Sequence, residues 1–404
     1  MLTCGGETTE PCCMLASADP YPLYSYLREN EPVHRIGESD FYLVSTWNLV
    51  NEVLMRTDEF SSNLTATMVL ESGGARPFRL AGLGDRSHVL ATADDPAHAT
   101  HRKTVLPSVV ARRILALEPF IDSTVRRLWS DALADGAIDW VDAVSDRLPM
   151  IVVARLVGFP APDVSWLVAG AYATTQMLDG VITDEQLATA TTAAAELAGY
   201  LTNEFTKARA EPGDNVLGDL ARHCNAGELT EETCVLMLLQ LVGAGGESTS
   251  GLLGNAAWLL AAQPDIAEEV RRAPELLPAF IDEALRLESP FKGHYRHVVR
   301  DTRLGDVDLL ADSHLLLLWG AANRDPAAFD SPDKLLLDRP HGRAHLAFGK
   351  GTHFCIGAAM ARLEARVGLG MLLGESTSID VAEPPAWVPS ITVRRLQRLA
   401  LRIN

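Results

Sequence analysis

Cysteine is scarce in this chain, with six among 404 residues, too few and too scattered for a disulfide scaffold. Cys4, Cys12 and Cys13 sit in a loose Gly/Thr/Glu/Pro leader, and the Cys12–Cys13 pair has neither zinc-type nor redox CxxC spacing, so all three read as incidental thiols. Cys224 and Cys234 lie in or near helical segments and carry no motif. Reduced thiols point to the cytoplasm. Positive charge is also short: the formal net charge of −18 disfavours nucleic acid, whose phosphate backbone needs a basic surface. No basic segment followed by an apolar run opens the chain, so no signal peptide is expected. The longest apolar stretch, about 234–262, is interrupted by Gln240, Glu247, Ser248 and Asn255, which suits a buried core helix better than a bilayer span. Internal repeats and Pro/Ser-rich linkers are missing too.

What remains is an ordinary globular composition, 47% hydrophobic, with ample material for a core. Residues 1–18 are expected to be a disordered leader and 19–404 a single domain. Asp19-Pro20-Tyr21-Pro22 reads as a helix start, Phe41–Val44 as a short strand and Leu49–Met55 as a helix. Residues 61–92 hold several glycines and no sustained periodicity, which predicts a long loop of the kind that faces a substrate. Apolar residues then recur at helical spacing over about 97–209 and 230–288. Short strands are expected near Tyr295–Val299, Leu315–Leu318 and the C-terminus, with helix again over Ala358–Leu373. The fold class is therefore mainly α with a minor β portion.

The most informative stretch is Phe348-Gly349-Lys350-Gly351-Thr352-His353-Phe354-Cys355-Ile356-Gly357. Glycines around one cysteine permit tight, partly left-handed turns and close approach to a flat ligand. The helix that follows would turn its N–H groups and positive dipole end toward a thiolate at Cys355. A buried cysteine in a Gly-rich turn is the plain alternative, but the whole Phe-Gly-x-Gly-x-His-x-Cys-x-Gly pattern is present. These ten residues resemble the haem-binding loop of the cytochrome P450 superfamily. Longer stretches, among them Phe60 to Thr67, Gly293 to His297 and Leu315 to Pro326, resemble the mycobacterial P450s of family 144. The resemblance runs from about Asp19 to the end and implies the cytochrome P450 fold. It makes Cys355 the axial ligand of haem b iron, with Phe348, Gly349 and Gly357 shaping the loop around it. A thiolate ligand donates electron density to iron and favours O–O cleavage.

Ala244-Gly245-Gly246-Glu247-Ser248-Thr249 lies inside the long apolar stretch. Glycine costs roughly 1 kcal/mol in a helix relative to alanine, so two in succession want a reason. A local kink or widened turn would leave a groove for dioxygen and water, where an acid beside a hydroxyl could relay protons. The same pattern fits a plain kink, with Glu247 paired to a distant base and Ser248 bonded back to its own backbone. By resemblance Ala244 and Gly245 border the haem, and Glu247, Ser248 and Thr249 form the relay. The chain departs from the family by placing Ser248 where threonine is usual, which loses the methyl that restricts χ1.

The resemblance assigns the haem propionates to His98 and Arg102, four apart on one helical face, and to Arg296 and His345. It gives Glu283, Arg286 and Arg339 a structural role beneath the loop. No flavin or ferredoxin module is visible, so electrons are expected from a separate ferredoxin and ferredoxin reductase, steered by some of Arg102, Lys103, Arg112, Arg113 and Lys350. Leu64, Met68, Phe78, Leu83, Val89, Phe291 and Ile391 would give a small-molecule substrate an apolar lining, with Lys292 and His294 as polar candidates. The activity implied is insertion of one atom of O2 into that substrate. A peroxide-driven haem oxidase and a non-catalytic haem sensor are the alternatives.

Overall fold

The computed structural model describes residues 14–404 except 72–73, 80–87, 161–162, 182 and 341. Cys4, Cys12, Cys13 and Leu83 lie outside the described residues. The longer helices are α1 (Tyr21–Asn30), α2 (Trp47–Met55), α3 (Ala97–Val105), α4 (Glu118–Ala132), α5 (Arg147–Val157), α6 (Val164–Gln176), α7 (Asp184–Ala210), α8 (Val216–Asn225), α9 (Glu231–Ala262), α10 (Pro264–Arg272), α11 (Leu277–Leu287) and α12 (Ala358–Gly374). The first strands are β1 (Val33–Arg35), β2 (Phe41–Val44), β3 (Phe60–Ser61), β4 (Ala66–Glu71), β5 (Gly74–Arg79) and β6 (Ala137–Asp139). They are followed by β7 (Gly293–Val298), β8 (Thr302–Leu304), β9 (Val307–Leu309) and β10 (His314–Leu318).

α9 is the axis of the molecule. Thr230 caps it, its hydroxyl accepting the Thr233 N–H at 3.1 Å, and Glu231 and Glu232 complement the positive end of the helix dipole. At 32 residues it is about 48 Å long, and it packs against α5, α6, α7, α11 and α12. From Gly246 on, most of its residues are buried, so the apolar run is core. Among the described residues no helix is long and apolar enough to cross a membrane.

Beside the helices lies a five-stranded sheet in the order β1-β2-β10-β7-β3. β2 and β10 are parallel, and the other pairs are antiparallel. The register Leu315↔Arg296 places Arg296 on a central strand, so its guanidinium is fixed by the sheet rather than by a loop.

Two expectations need correction. The folded chain begins before residue 19: Leu15 is fully buried with Leu23 and Tyr24, and its carbonyl accepts from Lys292 Nζ at 3.0 Å. The Ala18 carbonyl accepts from Arg394 at 2.5 Å. Residues 14–18 therefore belong to the fold, and 1–13 lie outside the described residues. The stretch 61–92 is also more regular than a loop. β4 and β5 form an antiparallel hairpin, and Ala66, Met68 and Leu70 bury themselves in the same cluster as Tyr295 and Ile391.

Candidate active site

The Cys355 loop is closed by its own backbone. The Cys355 N–H donates to the Phe348 carbonyl at 2.9 Å, and the Gly349 N–H donates to Leu346 at 2.8 Å. Gly349 and Gly351 adopt φ of +66° and +70°, a left-handed conformation that side chains with a Cβ resist. A Cβ on Gly357 would stand 3.8 Å from the Cys355 sulfur, so glycine keeps the surroundings of that atom clear. α12 starts immediately afterwards. Burial pushes the Cys355 thiol up, while the Gly357 N–H, the charges of Arg102 and Arg362 and the Ala358 N–H pull it back. The thiol is densely surrounded by protein and still presents accessible surface. Each of these four partners favours the thiolate, and an iron ligand must be the thiolate.

Basic side chains gather around the loop. His98 on α3 and His353 in the loop lie against each other with ring centroids 4.1 Å apart and planes tilted by 40°. Burial lowers both imidazoles, His353 to about 4, so two neutral rings are in contact. His353 Nδ1 is buried without a hydrogen-bond partner, and His98 Nδ1 approaches Asp95 only to 3.5 Å, outside hydrogen-bond geometry. Arg296 is buried, donates to the Tyr295 carbonyl at 2.7 Å, and is pulled down to about 10 by burial. Arg102 follows His98 by one helical turn and acts on Cys355. This group fits the two propionates of a haem: it supplies several donors, and the Nδ1 atoms of His98 and His353 are both left over in the interior.

His345 does not join this group. Its Nδ1 accepts the Ala347 N–H at 3.2 Å, which leaves the proton on Nε2, 3.3 Å from Asp282 Oδ1. Arg362 reaches the same Asp282 oxygen at 2.8 Å and lies over the Phe348 ring at 4.5 Å. Both nitrogens of His345 are therefore engaged by protein, and a propionate contact would have to displace Asp282. His353, given no role beforehand, lies in this cluster, where His345 does not. The signal was its position two residues before the cysteine.

Over residues 242–250 of α9 the accessible positions are Ala244 and, in part, Gly245 and Ser248, among buried neighbours. Ala244 and Ser248 are one turn apart and share a face. The helix continues through Gly245 and Gly246, and close packing gives these glycines a purpose. They admit α5: a Cβ on Gly245 would come within 2.8 Å of Val153, and one on Gly246 within 2.2 Å of Met150. Glu247 is buried, pairs with Arg395 (Nε to Oε1, 2.8 Å) and accepts from the Thr175 hydroxyl. Ser248 donates back to the Ala244 carbonyl at 2.6 Å, and Thr249 is buried. Burial raises the Glu247 carboxyl, opposed by Arg395 and Thr175.

Beneath the loop, Glu283 receives Arg286 through both oxygens (2.7 and 2.9 Å), Arg339 Nε at 2.9 Å and the Leu336 N–H at 3.0 Å. Arg286 also donates to the carbonyls of Asn323, Pro332 and Lys334, which pins the chain leading into the cysteine loop. Lys292, one of the polar candidates for the substrate, points elsewhere and donates to the carbonyls of Leu15 and Ser390, at 3.0 and 2.6 Å. His294 is half-buried and packs against Trp319 with ring centroids 4.5 Å apart, and the surrounding protein lowers it to about 3. Asp179, missed beforehand, accepts from Ser390 and from the Ile391 N–H (3.2 Å), tying the turn after α6 to the C-terminal loop. A surface hollow of about 650 Å³ between α4 and α12, bordered by Glu118, Arg126, Arg366 and Glu375, holds none of the site residues.

Comparison with known proteins bears on this site directly. Residues 215–376 match the Cytochrome P450 family model. The chain is 54% identical over 387 residues to Cytochrome P450 144 of Mycobacterium tuberculosis, covering 96% of this chain and 89% of that one. Among solved structures, it superposes on cytochrome P450 CREJ in complex with (4-ethylphenyl) dihydrogen phosphate with a TM-score of 0.88 at 26% identity, covering 96% of this chain and 98% of that one. The tirandamycin C-bound P450 monooxygenase TamI gives 0.82 at 29% identity, over 96% and 98%. The mainly helical fold, the cysteine loop on α12 and these relatives together make the chain a member of the cytochrome P450 family, a haem-dependent monooxygenase.

Proposed function

We propose that the chain inserts one atom of O2 into a largely apolar small molecule, with haem b held at Cys355 and electrons supplied by a separate ferredoxin and ferredoxin reductase. The observation that carries this reading is a lone thiol ringed by N–H donors and cations, beside a basic cluster with two unpartnered buried ring nitrogens. Bound haem supplies oxygen activation, which thiolate ligation favours.

The chain's own residues divide the remaining work. Arg102, His98, His353 and Arg296 hold the propionates, and the Asp282–Arg362–His345 group braces Phe348 from the other side. Ala244 would leave room for bound haem and oxygen, and the Ser248 hydroxyl one turn on shares its helix face. Glu247 holds a proton more readily than an exposed carboxyl, because burial disfavours its charge. Passing that proton on requires Glu247 to leave Arg395 and Ser248 to release the Ala244 carbonyl. Of the expected apolar lining, Phe291 is partly exposed while Val89, Met68 and Ile391 are buried, and the free thiols at Cys224 and Cys234 fit a cytoplasmic setting.

One observation favours the peroxide-driven alternative: Glu247 and Ser248 are both engaged elsewhere, so the relay is not assembled. A screen of fatty acids, steroids, cyclic peptides and aromatic acids for a haem spin-state shift identifies a substrate. Turnover of that compound under ¹⁸O2 with ferredoxin, reductase and NADPH should then label the product with a single ¹⁸O atom. Equal turnover with hydrogen peroxide alone would replace the proposal by the alternative.

A further inference from the structure

Cys224 and Cys234 sit on different helices and meet at one corner. Cys224 is the penultimate residue of α8, and Cys234 lies in the first turns of α9, nine residues of chain separating them. The Cys234 sulfur stands 3.8 Å from the Leu220 carbonyl, one turn before Cys224 on α8, which sets Cys234 against the last turn of the helix that carries Cys224. The corner is held from a third side. Arg209 at the end of α7 bonds Asn225 Oδ1 (3.1 Å) and Glu231 Oε2 (2.6 Å), while Asn225 returns a bond to the Arg209 carbonyl at 2.9 Å. The ends of α8 and α9 are therefore fixed relative to each other with two sulfurs between them. The two thiols differ in access: Cys224 is half-buried and Cys234 fully buried.

We propose that Cys224 and Cys234 form a redox-sensitive pair that closes to a reversible disulfide between α8 and α9 when a peroxide oxidises Cys224. In the first step the Cys224 thiolate attacks one peroxide oxygen. The O–O bond breaks, the sulfur becomes a sulfenic acid and water or an alcohol leaves. In the second step Cys234 attacks that sulfur. The S–O bond breaks, the hydroxyl departs with the Cys234 proton as water, and the S–S bond forms. The pair loses two electrons and two protons, and the peroxide is the oxidant. Burial and the neighbouring Cys224 push the Cys234 thiol up to about 12, so the second step is slow at neutral pH and quickens as pH rises. Arg209, whose charge favours the thiolate, assists it. The bridge would fix the first turns of the helix that carries Ala244 and Ser248.

The test treats the full haem-loaded chain with hydrogen peroxide, quenches free thiols by alkylation, and maps peptides without reduction. A cross-linked peptide containing both cysteines and lighter by two hydrogens is expected. It should revert with dithiothreitol and vanish in Cys224→Ser and in Cys234→Ser. Alkylation of denatured protein should count two fewer free thiols after treatment. The proposal is overturned if Cys224 advances to sulfinic acid with Cys234 still free, or if both remain alkylatable thiols. It is equally overturned if Cys224 bridges only to Cys4, Cys12 or Cys13. Serine in place of the half-buried Cys224 keeps the fold, so Cys224→Ser remains readable even where Cys234→Ser folds poorly.

Discussion

Arg395 Nε lies 2.8 Å from Glu247 Oε1, so the acid expected to feed protons toward the haem is tied to the C-terminal segment. Arg395 in turn lies over the Tyr172 ring at 4.3 Å, and the Tyr172 hydroxyl donates to Asp146 at 2.7 Å. Replacing Arg395 by glutamine leaves Glu247 buried with less compensation, and unfolding stability should fall by about 3 kcal/mol in urea titration. The pH dependence follows from the raised Glu247 carboxyl. The folded state binds this proton more tightly than the unfolded state does. The group's contribution is thus full below the ordinary carboxylate range and is lost as pH climbs toward its raised value. In Arg395→Gln that loss should extend to higher pH. An unchanged stability profile between the two proteins would contradict this assignment.

The Glu283 network predicts the opposite sign. Burial alone would raise the Glu283 carboxyl, but Arg286, the Leu336 N–H and Arg339 outweigh it and hold it below the ordinary range. Its contribution is present above the ordinary carboxylate range and is lost as pH falls through the lowered value. Glu283→Ala strands Arg286, which has no exposed surface, and should cost about 3–5 kcal/mol or prevent soluble expression. Glu283→Gln, which keeps hydrogen-bond capacity, should express and retain part of the haem. Melting curves and haem-to-protein ratios of the two variants check this.

His353 offers a test that separates cofactor holding from folding. Its Nδ1 is buried and unpartnered, so His353→Phe should leave the haem-free protein as stable or stabilise it by about 1 kcal/mol. Retention of haem, measured by transfer to apomyoglobin, should drop by about tenfold or more, since a hydrogen bond to a charged group is worth about 1.5–3 kcal/mol. Loss of stability without haem would instead mark His353 as a packing residue.

Legibility in the sequence followed the range of the interaction. The Cys355 loop is ten contiguous residues, and its turn glycines, cysteine and following helix could all be read locally. Glu283 and Arg286, three apart on α11, were readable for the same reason. Glycines 245 and 246 were legible as a cost but not in their purpose, because Val153 and Met150 lie far away in the chain. Arg395 stands 148 residues from Glu247 and Asp282 stands 63 from His345, so neither pairing leaves a local trace. Lys292 looked like a substrate contact because nothing nearby shows that Leu15 and Ser390 would claim it. The β4–β5 hairpin escaped notice because apolar Val69 breaks the strict alternation of Ala66, Met68 and Leu70.

Ligation of iron by the sulfur at position 355 is tested most directly by the absorption spectrum of the dithionite-reduced carbonyl adduct, recorded for the native chain and for Cys355→His. The native protein should show the long-wavelength band of a thiolate-ligated haem, and the variant should lose it while keeping its far-ultraviolet helical signal. A native adduct absorbing like a histidine-ligated globin, or one unchanged by the substitution, would contradict the account.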